Sequence, residues 1–157
     1  MNQKEEAIIS PLPTDALLQE REVAWRVKLP DDYKEFIKKE NGVIPSKRYF
    51  HFEHNQKVID RFLAILAVSG EKAEEAYDIG VVSTQLEGRI VFDEDSVGMQ
   101  LIPIAALFCG DFLCLNYVED PEHPSICIWY HEESYEMEPA IEFVANNFTE
   151  FLAMLQN

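Results

Sequence analysis

Lysine and arginine are missing from the last 68 residues of this chain. Arg89 is the last residue of either type, and thirteen Asp and Glu residues follow it. The first 89 residues, by contrast, carry sixteen acidic and thirteen basic side chains, so most of the net charge of −16 arises after Arg89. A small domain stays dispersed with a net charge of about 2 to 8 in magnitude, so solubility alone does not require this excess. The distribution favours a basic partner.

Cysteine is also scarce, and long apolar runs are absent. Cys109, Cys114 and Cys127 lie in apolar stretches without the CxxC spacing of zinc sites, which predicts reduced, buried thiols. The N-terminus has no apolar region typical of a secretory signal. The longest uncharged run, residues 96–110, is shorter than the roughly 20 residues of a bilayer span. These absences predict a cytoplasmic protein that does not engage a membrane.

The residue patterns of several kinds of catalytic and metal site are missing as well. No Gly-rich phosphate loop occurs, and no Ser or Cys has an identifiable base. His51 and His54 would face opposite sides of a predicted strand, which disfavours shared metal ligation. The run Asp93 to Asp95 lacks the spaced ligands of a calcium loop. We therefore expect no catalytic residue, no metal site and no cofactor.

The 157 residues, 47% of them apolar, predict a single domain over residues 1–157 that buries its own core. A helix is predicted from Thr14, its N-cap, to Trp25. A second helix follows Pro30, because its aromatic and aliphatic residues recur at helical spacing, and Asn41-Gly42 ends it. The short Ala- and Glu-rich segment 71–77 favours a further helix.

Strand periodicity dominates the middle of the chain. Residues 48–54 alternate, with Phe50 and Phe52 predicted to point inward. Residues 58–68 fit either a strand pair or a strand with a bend. Successive strands are predicted over residues 99–108, 111–118 and 125–130. The chain closes with a helix over about residues 147–155, and a strand before it is an alternative. This order predicts an α+β fold, with an antiparallel sheet covered by N-terminal helices and a C-terminal helix.

Several of these segments together resemble the SUKH superfamily, which includes bacterial immunity proteins and yeast cell-wall synthesis regulators. The Leu-Pro, Tyr, Phe and Asn-Gly positions of residues 29–42 are similar to the early helix signature of that family. Its central strand pair is matched by Ile102-Pro103-Ile104 and by residues 110–115. Residues 126–132 resemble the aromatic strand that follows, and residues 147–152 the final Phe-x-x-Phe-Leu helix. The resemblance spans roughly residues 14–155.

The resemblance implies a binding protein rather than an enzyme, with tight binding to a toxin domain made by the same cell. The charge then suggests the kind of toxin. A nuclease must present Lys and Arg to grip phosphates, and clustered carboxylates can occupy that surface. We therefore expect a basic toxin domain, a nuclease, as the partner, with no direct binding of nucleic acid. A regulatory scaffold or interaction adaptor without a toxin partner is the alternative, and the oligomeric state stays open.

The densest acidic stretch supplies the candidate partner-binding residues. The predicted set is Glu119, Asp120, Glu122, Trp129, His131, Glu132, Glu133, Glu136 and Glu138. A strand over residues 125–130 would separate the first three from the rest, which allows the two groups to lie at opposite edges of the sheet. An ordinary solvated acidic rim is the competing interpretation. Trp129 shares a strand face with Cys127, and that face is either exposed or covered by a helix.

Overall fold

A computed structural model of the chain describes residues 8–157. The N-terminal residues for which we predicted no secretory signal lie outside the described residues. The described residues form four α-helices and one six-stranded sheet. The helices are α1 (Asp15–Trp25), α2 (Asp31–Glu40), α3 (Ile79–Leu86) and α4 (Phe148–Ala153). Three short 3-10 turns span Ala73–Tyr77, Glu87–Ile90 and Phe108–Gly110. The strands are β1 (Tyr49–Phe52), β2 (Asn55–Phe62), β3 (Leu101–Leu107), β4 (Phe112–Asn116), β5 (Ser125–Trp129) and β6 (Ile141–Ala145).

The sheet is fully antiparallel, and its spatial order β1-β2-β3-β4-β5-β6 follows the chain. The predicted α+β architecture is confirmed. Strand β1 forms one edge of the sheet and is bridged at Tyr49, which exchanges two backbone hydrogen bonds of 3.1 and 2.7 Å with Gln156. Strand β6 forms the other edge.

The first two helices begin and end as the sequence indicates. Thr14 caps α1, since its hydroxyl oxygen accepts the Leu17 N–H at 3.1 Å. Helix α2 stops at Asn41, and Gly42 takes a left-handed conformation with φ of +68°. A Cβ on Gly42 would lie 2.6 Å from the Ile9 side chain. Both the backbone conformation and the close packing therefore require glycine here.

An aromatic cluster fixes the N-terminal and C-terminal helices to the sheet. The Phe36 ring of α2 lies 4.8 Å from Phe62 of β2 and 5.0 Å from Phe148 of α4, measured between ring centroids. Tyr33 meets Phe148 edge-on at 5.1 Å. Phe50, fully buried as predicted, packs on Phe151 at 5.2 Å, whereas Phe52 is only half-buried. Helices from both ends of the chain thus share one core.

The region after β1, for which the sequence left two alternatives, contains the second strand of a β1–β2 hairpin and the residues that follow it. The β1–β2 turn is tight, with Phe52 paired to Asn55 and Glu53 at φ of +57°. Strand β2 therefore begins three residues before the predicted start at residue 58. It ends at Phe62, after which Ala64 bridges to Asp78.

Helix α3 was not predicted. Its sequence is short and rich in β-branched residues, which gives a weak helical signal. Asp78 starts it, because the Asp78 side chain accepts the Val81 N–H at 3.2 Å. The side chains of Ile79 and Val82 are buried in the main core. The predicted helix over 71–77 is a 3-10 turn that begins at Ala73.

The cysteine prediction is correct for two residues and wrong for the third. Cys114 and Cys127 are fully buried and face each other across β4 and β5. Cys109 is exposed, because it lies in the β3–β4 turn with φ of +72°. Within residues 8–157, none of the helices has the length and apolar character to cross a bilayer.

Candidate functional site

The two groups of predicted acidic residues lie at opposite ends of β5. Glu119, Asp120 and Glu122 belong to the β4–β5 connection, and the residues from His131 to Glu138 belong to the β5–β6 connection. A five-residue strand spans roughly 16 Å at about 3.3 Å per residue. The predicted set therefore does not form one continuous cluster. We call residues 131–138 the acidic loop.

Arg89, the last cation of the sequence, anchors the acidic loop. Its Nε–H donates to the Ser134 carbonyl at 3.1 Å, and its guanidinium also donates to the His131 carbonyl. Met137 N–H donates to the Gly88 carbonyl at 2.9 Å. The loop is thus fastened to the 3-10 turn Glu87–Ile90, more than forty residues earlier in the chain.

Further hydrogen bonds close the acidic loop on itself. Tyr135 and Glu138 exchange two backbone hydrogen bonds of 3.1 and 2.9 Å. Ser134 is buried, and its hydroxyl oxygen accepts the Ala140 N–H at 2.9 Å. Met137 adopts a φ of +63°, which reverses the chain between these contacts. The loop is therefore a defined turn and presents a fixed set of side chains.

The outward side chains of the acidic loop are one aromatic ring, one imidazole and four carboxylates. They are His131, Glu132, Glu133, Tyr135, Glu136 and Glu138, and all six are exposed. Within residues 8–157, no ion pair joins any of the four glutamates to a cation. Arg89 contacts two backbone carbonyls and the His131 ring, and none of the four glutamates.

Trp129, predicted to bind the partner, is buried in the structure. Its side chain is fully buried, its Nε1–H donates to the Arg89 carbonyl at 2.9 Å, and its ring lies 6.0 Å from that of Phe112. The Glu87–Ile90 turn lies against the Trp129 side chain through Arg89, so the indole is not available to a partner at the surface. The exposed aromatic residue of this region is Tyr135, with 64% of its surface accessible. Sequence reasoning missed Tyr135, although its position between acidic residues and outside any apolar run is a usable signal.

The other acidic group has a different character, because its carboxylates are partly used in local structure. Asp120 accepts the N–H groups of Glu122 and His123 at 2.9 and 3.1 Å. The hydrogen bond from Glu122, and then that from His123, lowers the pKa of the Asp120 carboxyl. Glu122 and His123 border an open cleft of about 780 Å³ between this connection, the start of α2 and α4. Inside it, Asp32 accepts the Thr149 hydroxyl at 2.7 Å.

The described residues contain no group of three or more His, Cys, Asp and Glu placed to hold a metal ion. Two acidic surface features lie near β5, the anchored acidic loop at one end and the acidic cleft at the other. Of the two, the acidic loop has the larger number of exposed carboxylates without a described hydrogen-bond or ion-pair partner.

The protein belongs to the α+β class. Its antiparallel sheet is covered by helices from both ends of the chain and has charged connections at its two ends. The SUKH_6 family model, described as SMI1-KNR4 cell-wall, matches residues 15–152. The chain belongs to this family, and the resemblance seen in its motifs is confirmed. No curated protein and no solved structure matches the chain. Membership is consistent with an immunity-protein role or with a role like that of the SMI1/KNR4 regulators.

Proposed function

We propose that this chain is a cytoplasmic, non-catalytic immunity protein that binds a basic toxin domain through the acidic loop. The observation that carries the proposal is the anchoring of four exposed glutamates and Tyr135 on one preformed turn. A nuclease is the kind of toxin that fits best, because its active surface presents Lys and Arg to phosphates. Glutamate carboxylates on the inhibitor would then occupy the positions of those phosphates.

The construction of the loop supports tight and fast binding. A partner does not have to order a segment that Arg89 and Ser134 already hold, so less conformational entropy is lost on association. The acidic loop itself contains four glutamates and no Lys or Arg, which makes the field on its outer side negative. Such a field steers a cationic protein and raises its association rate by about 10- to 1000-fold at low salt. Tyr135 supplies apolar contact area inside the charged rim.

The test is the association kinetics of the purified chain with a toxin domain encoded beside its gene. One variant replaces Glu132, Glu133, Glu136 and Glu138 with glutamine. A matched control replaces Glu20, Glu71, Glu74 and Glu94, which are also exposed but lie elsewhere. We expect the loop variant to associate at least about tenfold more slowly at low salt, with a flatter salt dependence. The control, which has the same net charge, should remain close to the original rate.

Equal slowing in both variants would show that overall charge, not the acidic loop, drives association. No slowing in either would reject the acidic loop as the binding surface. A third variant, with Glu119, Asp120 and Glu122 changed to their amides, examines the opposite end of β5. If that variant alone loses binding, the cleft end is the site.

Membership of the SMI1-KNR4 cell-wall family favours one further candidate, a regulatory scaffold without a toxin partner. Growth distinguishes the two functions. Cells that express the neighbouring toxin domain should survive only when this chain is present, and the loop variant should protect them less. If the gene has no toxin neighbour and the chain protects against none, the regulatory role is favoured.

A further inference from the structure

Strand β6 leaves one edge of the sheet open. No described strand pairs with its outer side, whereas the opposite edge is bridged at Tyr49 by two backbone hydrogen bonds with Gln156. Natural edge strands are commonly guarded by lysine or proline. The β6 sequence, Ile-Glu-Phe-Val-Ala, contains neither. A bulge at Val144 interrupts the strand, because the register shifts there between the pairs Cys127–Phe143 and Ile126–Ala145. Bulges of this kind hinder the pairing of a further strand.

The hydrogen-bond phase of β6 shows which groups face outward. Tyr130 N–H donates to the Ala140 carbonyl at 2.9 Å, so Ala140 directs its carbonyl toward β5. Successive residues of an antiparallel strand alternate in this respect. Glu142 therefore bonds to β5, and Ile141 and Phe143 direct their N–H and C=O groups away from the sheet. Each of the two offers one donor and one acceptor to an added strand.

The side chains along this edge favour one kind of occupant. Phe143 is 56% exposed on the face of the sheet that carries Cys127. Glu142 is exposed on the opposite face, and the acidic loop leads directly into the strand. An apolar ring, a free backbone edge and surrounding carboxylates are complementary to an extended segment in which basic and apolar residues alternate.

We propose that β6 binds such an extended basic segment of the partner by β-strand addition, pairing at Ile141 and Phe143. This inference rests on the proposed function and adds the mode of recognition. A second copy of this chain is a poor occupant, because antiparallel pairing of two β6 strands would bring the same carboxylates of both copies together. A basic segment instead places its cations beside Glu142 and Glu138.

The test uses a short synthetic peptide of alternating Lys and Val, with an alternating Glu and Val peptide as the control. Amide exchange is followed by NMR in the whole chain. The Lys-Val peptide should slow exchange at the amides of Ile141 and Phe143. The amide of Glu142, already bonded to β5, should change little. N-methylation of the peptide along its pairing edge should abolish the effect, and N-methylation along the other edge should not.

Two variants separate backbone pairing from side-chain contact. F143P removes the outward N–H without removing a β5–β6 hydrogen bond, which an edge position tolerates. F143A keeps that N–H and loses only the ring. We expect F143P to bind the Lys-Val peptide at least about tenfold more weakly than F143A does, when both unfold at similar temperatures.

Equal affinity of F143P and F143A would overturn strand addition, as would equal binding of the Glu-Val peptide. Slowed exchange confined to the acidic loop would also overturn it. These results leave the proposed function standing if the loop variant still slows association with the toxin domain. Failure of that association experiment, with β6 still pairing the peptide, would instead reject the proposed function. A peptide-free doubling of mass that F143P abolishes would identify a second copy as the occupant and overturn the inference.

Discussion

Arg89 and Trp129 make two contacts with each other, one through the backbone of Arg89 and one through its side chain. The Trp129 Nε1–H donates to the Arg89 carbonyl at 2.9 Å, and the Arg89 guanidinium lies 5.1 Å from the centroid of the Trp129 ring. The fully buried indole thereby fixes the last cation of the chain against the core. The Nε–H of Arg89 and one terminal nitrogen reach the backbone carbonyls of Ser134 and His131, and that nitrogen also lies 3.3 Å from the His131 Nδ1. Core packing and the orientation of a surface loop are thus connected through one side chain.

Arg89→Lys should loosen the acidic loop without removing a charge. Lysine lacks the planar fork that reaches two carbonyls at once. We expect a loss of unfolding free energy of about 1.5 to 3 kcal/mol, the usual range for hydrogen bonds to a charged group, measured by urea denaturation. Exchange of the Met137 amide, which bonds to Gly88, should accelerate.

Arg26→Lys is the matched control, because Arg26 is exposed and its described hydrogen bonds are made by its backbone. It should change neither stability nor Met137 exchange. If Arg89→Lys leaves the Met137 amide as protected as before, the anchoring role of Arg89 is contradicted.

Strand β5 could be predicted from the sequence, but the burial of its Trp129 side chain could not. Alternation along residues 125–130 predicts β5 correctly, since a two-residue period needs only local information. Whether the Trp129 face is covered depends on residues 87–90, which are forty positions away in the sequence. The acidic surroundings of Tyr135 in the sequence suggest that it is exposed, but not how it is oriented. The position of its loop depends on the contacts of Arg89 with Ser134 and His131, which no local pattern reveals.

Helix α3 illustrates a second limit. Residues 79–86 have weak intrinsic helical preference, and their helix depends on tertiary support. The buried carboxylate of Asp78 provides part of it, since this group accepts N–H groups from Val81 and from Leu66 and pairs with Arg21. By contrast, α1 has a side-chain cap at Thr14, and α2 begins after Pro30, ends before Gly42 and has apolar residues at helical spacing. Those two helices could therefore be predicted, and α3 could not.

Phe148→Ala should be among the more damaging single truncations in the aromatic cluster. The Phe148 ring is buried and meets Tyr33, Phe36 and Phe62. Its removal leaves a cavity between α2, α4 and the sheet, and we expect a loss of about 3 to 5 kcal/mol in unfolding free energy. Phe36→Ala is the comparison, because Phe36 belongs to the same cluster but is only half-buried. It should cost less, and the reverse order would contradict the packing described above.

Glu75 should contribute to stability in a pH-dependent manner. Its carboxylate accepts hydrogen bonds from the Ser69 N–H, the Ser69 hydroxyl and the Gly70 N–H, and the contacts with Ser69 lower its pKa most. Because the folded pKa lies below the unfolded value, this stability is present above a pH of about 4.3 and is lost as the pH falls through the folded value. Urea midpoints of Glu75→Gln should therefore lie below those of the original chain at neutral pH and converge with them in acid. Glu74→Gln, at the exposed neighbouring position, should show no such convergence.

The three cysteines should differ sharply in reactivity toward a thiol reagent. Cys109 is exposed in the β3–β4 turn, whereas Cys114 and Cys127 are fully buried. Burial, and then the hydrogen bond with Cys127, raises the pKa of the Cys114 thiol, so little reactive thiolate forms there. One thiol should react rapidly in the folded chain, and the other two only after unfolding in denaturant. Cys109→Ser should abolish the rapid phase, whereas Cys114→Ser should retain it. A rapid phase that corresponds to more than one thiol would show that the β4–β5 core opens readily, contrary to the buried pair found here.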